Sequence, residues 1–110
     1  MVTNQIMKRE FYDGTVSQRT KDGFFNATDL LKRFNEVTGK SIRFKEFWEN
    51  KGTERFIEAL INDLSKGDNS PYLKTHETTR GNKGSTWMHP YLFVKFAMWL
   101  SPELEVMKIS

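Results

Sequence analysis

The side chains that could carry covalent or metal chemistry are few in this chain. It contains two histidines, His76 and His89, and no cysteine. A zinc site needs several nitrogen, oxygen or sulfur ligands at suitable spacing. Arg80 stands where a helical metalloprotease motif beginning at His76 would need its second histidine. No residue pattern marks a Ser–His–acid triad, so we expect a protein that is not an enzyme and that holds no metal or cofactor.

The segment at residues 81–86, GNKGST, carries two glycines that could approach a phosphate. The Walker pattern requires four residues between its glycines and a lysine directly after the second, and neither condition holds here. The first four residues also match the GXXG loop of RNA-binding KH domains. That loop joins two helices, whereas the flanking residues here are typical of strands, so neither interpretation is favoured.

Basic residues gather in two regions and could neutralise the phosphates of a nucleic acid. The net charge is +3, and a positive balance favours a polyanionic partner. The first basic cluster surrounds the starts of two central helices, with glutamates interleaved, and the second lies in a glycine-rich hairpin. The candidate DNA contacts are Lys40, Arg43, Lys45, Lys51 and Arg55 in the first basic cluster, and Lys74, Arg80, Asn82 and Lys83 in the second. The alternative is a solvated surface with ion pairs worth about 0–1 kcal/mol each.

The N-terminal part of the chain predicts a hairpin followed by a helix. Residues 6–11 and 15–20 are predicted strands joined at Asp13-Gly14, a dipeptide favoured in two-residue hairpin turns, and residues 21–23 predict a second turn. Asn26 is expected to cap a helix that Gly39 ends, because its side chain can accept from first-turn amides. Apolar residues recur there at spacings of three and four, as on one helix face. They are Ala27, Leu30, Leu31, Phe34 and Val37.

Two further helices are predicted in the centre of the chain. Ser41 is expected to cap a short helix over residues 42–50, which Gly52 would terminate. Thr53 is then expected to cap a longer helix with a clear amphipathic stripe. That stripe is Phe56, Ile57, Leu60, Ile61 and Leu64.

The C-terminal part predicts a second hairpin and a pair of helices. We call residues 72–88 the distal hairpin; its predicted strands are residues 72–78 and 85–88. Pro90 suits the first position of a helix, and this helix is apolar nearly all round, so we expect it to be largely buried. Residues 101–103, SPE, predict another helix start. The predicted fold is α+β and winged-helix-like, with an N-terminal β-hairpin, central helices, a wing β-hairpin and a C-terminal helical pair.

Two sequence blocks carry a family resemblance. The first is GFFNATDLL at residues 23–31. The second is GSTWMHP at residues 84–90, continued by YL at 91–92 and FAMWLSPE at 96–103. In this order, with a helical segment and a basic hairpin between them, they strongly resemble the KilA-N domain. Asn26 and Pro90 would start helices in it, Trp87, Phe96 and Trp99 would lie in the core, and His89 would cap a helix or bond within the core.

KilA-N domains occur in proteins of bacteria, bacteriophages and large DNA viruses, including phage antirepressors, and are related to the fungal APSES DNA-binding domains. The resemblance implies a single winged-helix-like domain over residues 1–110 that binds double-stranded DNA and regulates transcription in a phage-derived or mobile-element-derived protein. Compared with the APSES pattern, the short helix at residues 42–50 is extra, so the helix that enters the groove stays open.

The resemblance also implies a cytoplasmic protein, associated with the nucleoid in a bacterial host, and an effector region that commonly follows the domain. The chain is therefore expected to be the N-terminal piece of a longer protein. No apolar run approaches the roughly 20 residues needed to span a bilayer, and a membrane partner is not expected. The alternative function is a protein-interaction module that acts on a repressor or another partner without touching DNA. A regulatory protein partner and a homodimer stay open.

Overall fold

The computed structural model describes residues 6–11, 14–66, 74–81 and 84–100, with the backbone alone for residues 6–11 and 14. The described part is α+β, as predicted: five antiparallel strands form one sheet in the order β1-β2-β3-β5-β4, accompanied by four helices. The strands are β1 (Ile6–Phe11), β2 (Gly14–Arg19), β3 (Phe25–Asn26), β4 (His76–Thr78) and β5 (Thr86–Met88). The helices are α1 (Ala27–Thr38), α2 (Phe44–Trp48), α3 (Lys51–Ser65) and α4 (Pro90–Leu100).

The N-terminal hairpin is confirmed, but its register differs from the prediction. Phe11 pairs with Gly14, so Gly14 belongs to β2 and the Asp13-Gly14 turn is wrong by one residue. The second turn is confirmed: the Gly23 amide donates to the Arg19 carbonyl at 2.8 Å, and Gly23 adopts φ 77°. That left-handed conformation suits a residue without a Cβ atom.

Helix α1 begins and ends where the sequence predicts. The Asn26 side chain accepts from the amides of Thr28 and Asp29, which satisfies two of the donors left open at a helix start. Gly39 ends the helix with φ 74°. The apolar face is buried except for Val37 in the last turn, which is 42% exposed.

The starts of α2 and α3 differ from the predictions. Arg43, and not Ser41, occupies the position before α2, with no side-chain cap. Gly52 does not end a helix; it lies in the first turn of α3, whose cap is Asn50. Asn50 accepts from the Gly52 and Thr53 amides at 2.8 and 3.3 Å, so it takes the role expected of Thr53. Thr53 instead lies inside the helix, fully buried.

Helix α4 lies at the centre of the core, in contact with α1, α3 and β5. Pro90 begins it, as predicted. Phe93 stacks on Phe25 with ring centroids 4.8 Å apart, and Phe96 contacts Phe47 at 4.9 Å. The helix is not buried all round, however. Among its side chains Tyr91, Val94 and Met98 are 53–66% exposed, because no described element covers this face.

The distal hairpin is shorter than predicted within the described residues, since β4 covers only His76–Thr78 and β5 only Thr86–Met88. The predicted helix start at residues 101–103 lies outside the described residues. None of the helices described is long and apolar enough to cross a membrane.

Candidate nucleic-acid interface

The base of the distal hairpin tip is closed by paired hydrogen bonds. The Thr79 amide donates to the Ser85 carbonyl at 2.8 Å, and the Ser85 amide donates to the Thr79 hydroxyl at 2.9 Å. The backbone is tight here, because a Cβ at Gly84 would lie 2.6 Å from the Thr79 carbonyl oxygen. Arg80, at the start of the tip, is exposed. The hairpin therefore presents Arg80 from a closed turn.

Strand β5 is attached to the start of α1. The Thr86 amide donates to the Thr28 hydroxyl at 2.9 Å, and the Asn26 Nδ2 donates to the Ser85 hydroxyl at 3.2 Å. Asn26 thus caps α1 with its oxygen and holds the hairpin with its nitrogen. The two sequence blocks that carry the family resemblance meet at this point.

Strand β4 is attached to the rest of the sheet through a buried arginine. Arg19, at the end of β2, is 5% exposed. Its guanidinium donates to Glu77 in β4 at 2.7 Å and to Asp22 at 2.6 Å. It also lies over the Trp87 ring, 4.8 Å from the centroid, where a cation–π attraction adds to the ion pairs.

The electrostatics of this network follow from its geometry. Hydrogen bonds from Arg19 and Lys74 lower the pKa of Glu77 to about 2, against the opposing effect of burial. Burial alone would lower the pKa of Arg19, but the bonds and charges of Asp22 and Glu77 raise it. Glu77 and Arg19 are therefore ionised at neutral pH, and Glu77 bonds to both Arg19 and Lys74.

Glu77 predicts a specific pH dependence of stability. Its folded-state pKa lies below the ordinary value of 4.5, so the ionised form stabilises the folded state above pH 4.5. This contribution is lost as the pH falls from 4.5 through about 2. In urea denaturation at pH 7, 4.5 and 3, we expect Glu77→Gln to lose less stability on acidification than the wild type. Glu58→Gln, at an exposed position of α3, should follow the wild type, and parallel curves for all three proteins would contradict the assignment.

The predicted DNA contacts that the structure describes are all exposed. These are Lys40, Arg43, Lys45, Lys51, Arg55, Lys74 and Arg80. Asn82 and Lys83 lie outside the described residues. The cations are spread along the α1–α2 connection, α2, the first two turns of α3 and the distal hairpin, so they form a discontinuous surface and not one compact patch.

The exposed cations differ in how their charge is compensated. Lys45 lies 3.8 Å from Glu49, and Lys74 lies 3.0 Å from Glu77. Within the described part of the chain, no carboxylate lies within ion-pair distance of four other candidates. These are Arg43, Lys51, Arg55 and Arg80. Since their charge is not neutralised by the protein, these four are the better candidates for binding an anion.

One ring contact joins the elements that carry the two basic clusters. The Trp48 ring of α2 lies against the His76 ring of β4, with centroids 4.6 Å apart and ring planes tilted by 31°. The neighbours of Trp48 in sequence include Lys45 and Lys51, and Lys74 lies two residues before His76. Burial lowers the pKa of His76, so its ring is neutral at pH 7. The contact therefore joins α2 to the base of the hairpin without adding charge.

His89 has a structural role, as the sequence predicts. Its Nδ1 accepts from the Tyr91 amide at 3.1 Å, and its carbonyl accepts from the Phe93 amide at 2.8 Å. Burial lowers the pKa of His89, although the charge of Asp22 opposes this shift. His89 is thus a neutral cap of α4. Among the described residues, no three His, Asp or Glu side chains come together as metal ligands would.

Sequence analysis did not identify Arg19. Asp22, three residues away, is a local signal for one of its ion pairs. Glu77, its other partner, is 58 residues away, and no local pattern connects them. A lone arginine at the end of a predicted strand is ordinarily exposed, so only the tertiary structure shows that this one is buried.

The described residues form a small α+β domain with exposed cations on its helices and on an anchored hairpin, a class that includes many nucleic-acid-binding modules. The model of the KilA-N domain family matches residues 10–110. The chain therefore belongs to the KilA-N family. Membership of this family indicates a DNA-binding domain of the kind found in regulators.

A KilA-N domain-containing protein of Acanthamoeba polyphaga mimivirus is 29% identical to the chain over 105 residues. The match covers 96% of this chain and 29% of the viral protein. The chain thus spans less than a third of that relative. No solved structure is significantly similar to the chain described here.

Proposed function

We propose that the chain is a single double-stranded DNA-binding domain of a transcriptional regulator from a phage or mobile element, such as an antirepressor. Family membership supports DNA binding. The observation that carries the proposal is a set of exposed cations without an ion-pair partner among the described residues, which lie directly before α2, on α3 and on the distal hairpin. Phosphate contacts from such cations supply most of the sequence-independent affinity for DNA.

In the proposed complex the domain binds in the manner of a winged helix. A central helix enters the major groove, while the distal hairpin contacts the backbone or the minor groove. Lys51 and Arg55 are four residues apart and so share one face of α3. Glu58 and Asp63 are exposed in its C-terminal half, where like charge would repel phosphates. The face of α3 that carries Lys51 and Arg55 is therefore proposed to meet the DNA, although Glu54 is also exposed in the first turn.

The remaining contacts are assigned by position. Arg43 directly precedes α2, and Lys40 and Lys45 lie on either side of it in sequence. Arg80 and Lys83 neutralise phosphates from the hairpin, with Asn82 as a base or sugar contact. Lys74 acts less directly, because Glu77 already holds its ammonium group. In this proposal the domain binds DNA, and we assign it no catalytic step.

Fluorescence anisotropy with a labelled random-sequence duplex tests the proposal. At about 50 mM salt we expect binding at micromolar protein, with affinity falling steeply towards 200 mM. The slope of log affinity against log salt should be about −0.9 for each phosphate contact. Replacing Arg43 and Arg55 with alanine should reduce this slope, whereas the matched replacement of Glu58 and Asp63 should not. No binding at 50 mM salt would contradict DNA binding and favour the alternative.

The alternative is a protein-interaction module, and one observation favours it. Tyr91 and Val94 expose 60% and 53% of their surface on α4, a helix that otherwise lies in the core. Aromatic and aliphatic side chains of this kind are common in protein interfaces. A protein partner or a second copy of the chain could cover this face, and sedimentation of the chain alone would detect the second copy.

A further inference from the structure

The junction between β5 and α1 poses a hydrogen-bonding problem for the backbone. β5 pairs with β3 at Trp87 and Met88, but α1 begins at Ala27, so the β3 ladder stops there. The amide of Thr86 faces the side of β5 on which β3 has ended, and Thr86 is only 6% exposed. A buried amide without a partner is costly. The Thr28 hydroxyl supplies the partner at 2.9 Å.

The Thr28 contact attaches the hairpin to a helix that is packed in the core. Helix α1 is fixed in the core through its apolar face, with Ala27 fully buried and Leu30 only 2% exposed. Asp29 also accepts from the Ser17 amide of β2 at 2.9 Å. Thr28 therefore stands on a helix that is packed in the core and bonded to β2.

The hairpin has few other attachments near its tip. β4 and β5 are three residues each, and the Arg19–Glu77 pair holds β4 at its centre. On the β5 side, the described side-chain bonds to α1 are those of Thr28 and Asn26. Between Arg80 and Thr86, the described backbone is closed by bonds between Thr79 and Ser85 and between Gly84 and Gly81. A small rotation at Thr86 would therefore move Arg80.

We propose that Thr28, assisted by Asn26, is a positioning residue for the DNA contacts of the distal hairpin. Thr28 does not touch DNA; its hydroxyl sets the angle at which the tip and Arg80 meet the duplex. The inference rests on the proposed DNA-binding function, and it assigns to the family's NAT sequence a role beyond starting a helix.

A double-mutant cycle on duplex DNA tests the proposal. Arg80→Ala should weaken binding roughly tenfold, as expected for a charge-assisted hydrogen bond, and reduce the salt slope by about 0.9. Thr28→Val, which keeps the shape and removes the acceptor, should give a loss of similar size and a similar reduction of the slope by about 0.9. The double variant should be no weaker than the weaker single variant, since residues acting through one contact are not additive.

Three variants separate positioning from folding. Thr28→Ser keeps the hydroxyl and should restore both affinity and slope. Thr53→Val, at a buried hydroxyl with no hydrogen-bond partner among the described residues, should leave both unchanged. Should Thr28→Val fail to fold, Asn26→Ser keeps the capping oxygen, lacks the Nδ2 donor to Ser85, and should show the same loss of slope. Hydrogen exchange of the Thr86 amide should accelerate in Thr28→Val and not in Thr28→Ser.

The outcomes distinguish this inference from the proposed function. A Thr28→Val variant with wild-type affinity and slope, or with effects additive to those of Arg80→Ala, overturns the inference and leaves DNA binding intact. If the wild-type chain binds DNA and Arg80→Ala has no effect, the hairpin is not part of the interface. That result also overturns the inference. A wild-type chain that does not bind duplex DNA overturns the proposed function itself.

Discussion

Replacing Arg19 with methionine is expected to lower the free energy of unfolding by about 3 kcal/mol. Methionine fills much of the same space beside Trp87, so the loss is electrostatic and not a cavity. Asp22 would lose the cation that it binds and Glu77 would keep only Lys74, and removing one partner of a buried ion pair costs far more than an exposed pair contributes. The two carboxylates retain 28% and 29% side-chain exposure, which places the effect at the lower end of the range for buried pairs.

Urea denaturation at pH 7 measures this effect, and an unchanged m-value would show that the unfolding transition is of the same kind. Lys45→Met is the control. Lys45 pairs with Glu49 at 3.8 Å on the surface of α2, and such exposed pairs contribute about 0–1 kcal/mol. A loss for Arg19→Met no larger than that of the control would contradict the role of Arg19 as the attachment of β4.

Reversing the charge of Arg80 and Lys83 together is expected to weaken binding to duplex DNA about a hundredfold at low salt. Each side chain loses a charge-assisted contact to phosphate and then repels it. The slope of log affinity against log salt should fall by about 1.8, that is about 0.9 for each lost contact. Fluorescence anisotropy over a salt series gives both quantities from one titration.

A control with the same change in net charge is needed, because long-range repulsion alone weakens DNA binding. Lys32→Glu with Lys66→Glu provides it, since both lysines are exposed and lie outside the proposed interface. Equal losses of affinity and slope in the two double variants would show that only the total charge matters. The hairpin would then have no direct part in binding.

The sequence predicted features whose causes lie within a few residues. The Asn26 cap, the left-handed Gly39 and the start of α4 at Pro90 each depend on one side chain and the adjacent backbone. The predicted start of α3 was wrong although its cause is also local, because Asn50 and Thr53 both suit a cap and the sequence does not rank them. In the structure Asn50 is the cap, and Thr53, three residues later, is buried in the core. The prediction that Gly14 belongs to the turn was wrong for a related reason. The dipeptide Asp13-Gly14 favours a turn but does not show which residues of the two strands pair with each other.

The candidate site was predictable in composition and not in arrangement. The basic residues of both clusters could be found by their charge, and all that the structure describes are exposed. The i,i+4 spacing of Lys45 and Glu49 is a local signal of their ion pair. The pairing of Lys74 with Glu77 could not be found, because it depends on the place of Glu77 in the Arg19 network. The exposed face of α4 was also unexpected, because an apolar helix predicts burial without showing which elements cover it.

By itself the sequence determined the helix starts at Asn26 and Pro90, the α+β class and, through two motifs, the family. These depend on local hydrogen bonding, on periodicity and on recognisable residue order. Only the tertiary structure decided that the two motifs touch, that Arg19 is buried, and that the hairpin is held from both sides. Those contacts join residues 58 positions apart. Such pairs leave no local pattern, because the polar group that each residue satisfies belongs to a strand that folding alone brings beside it.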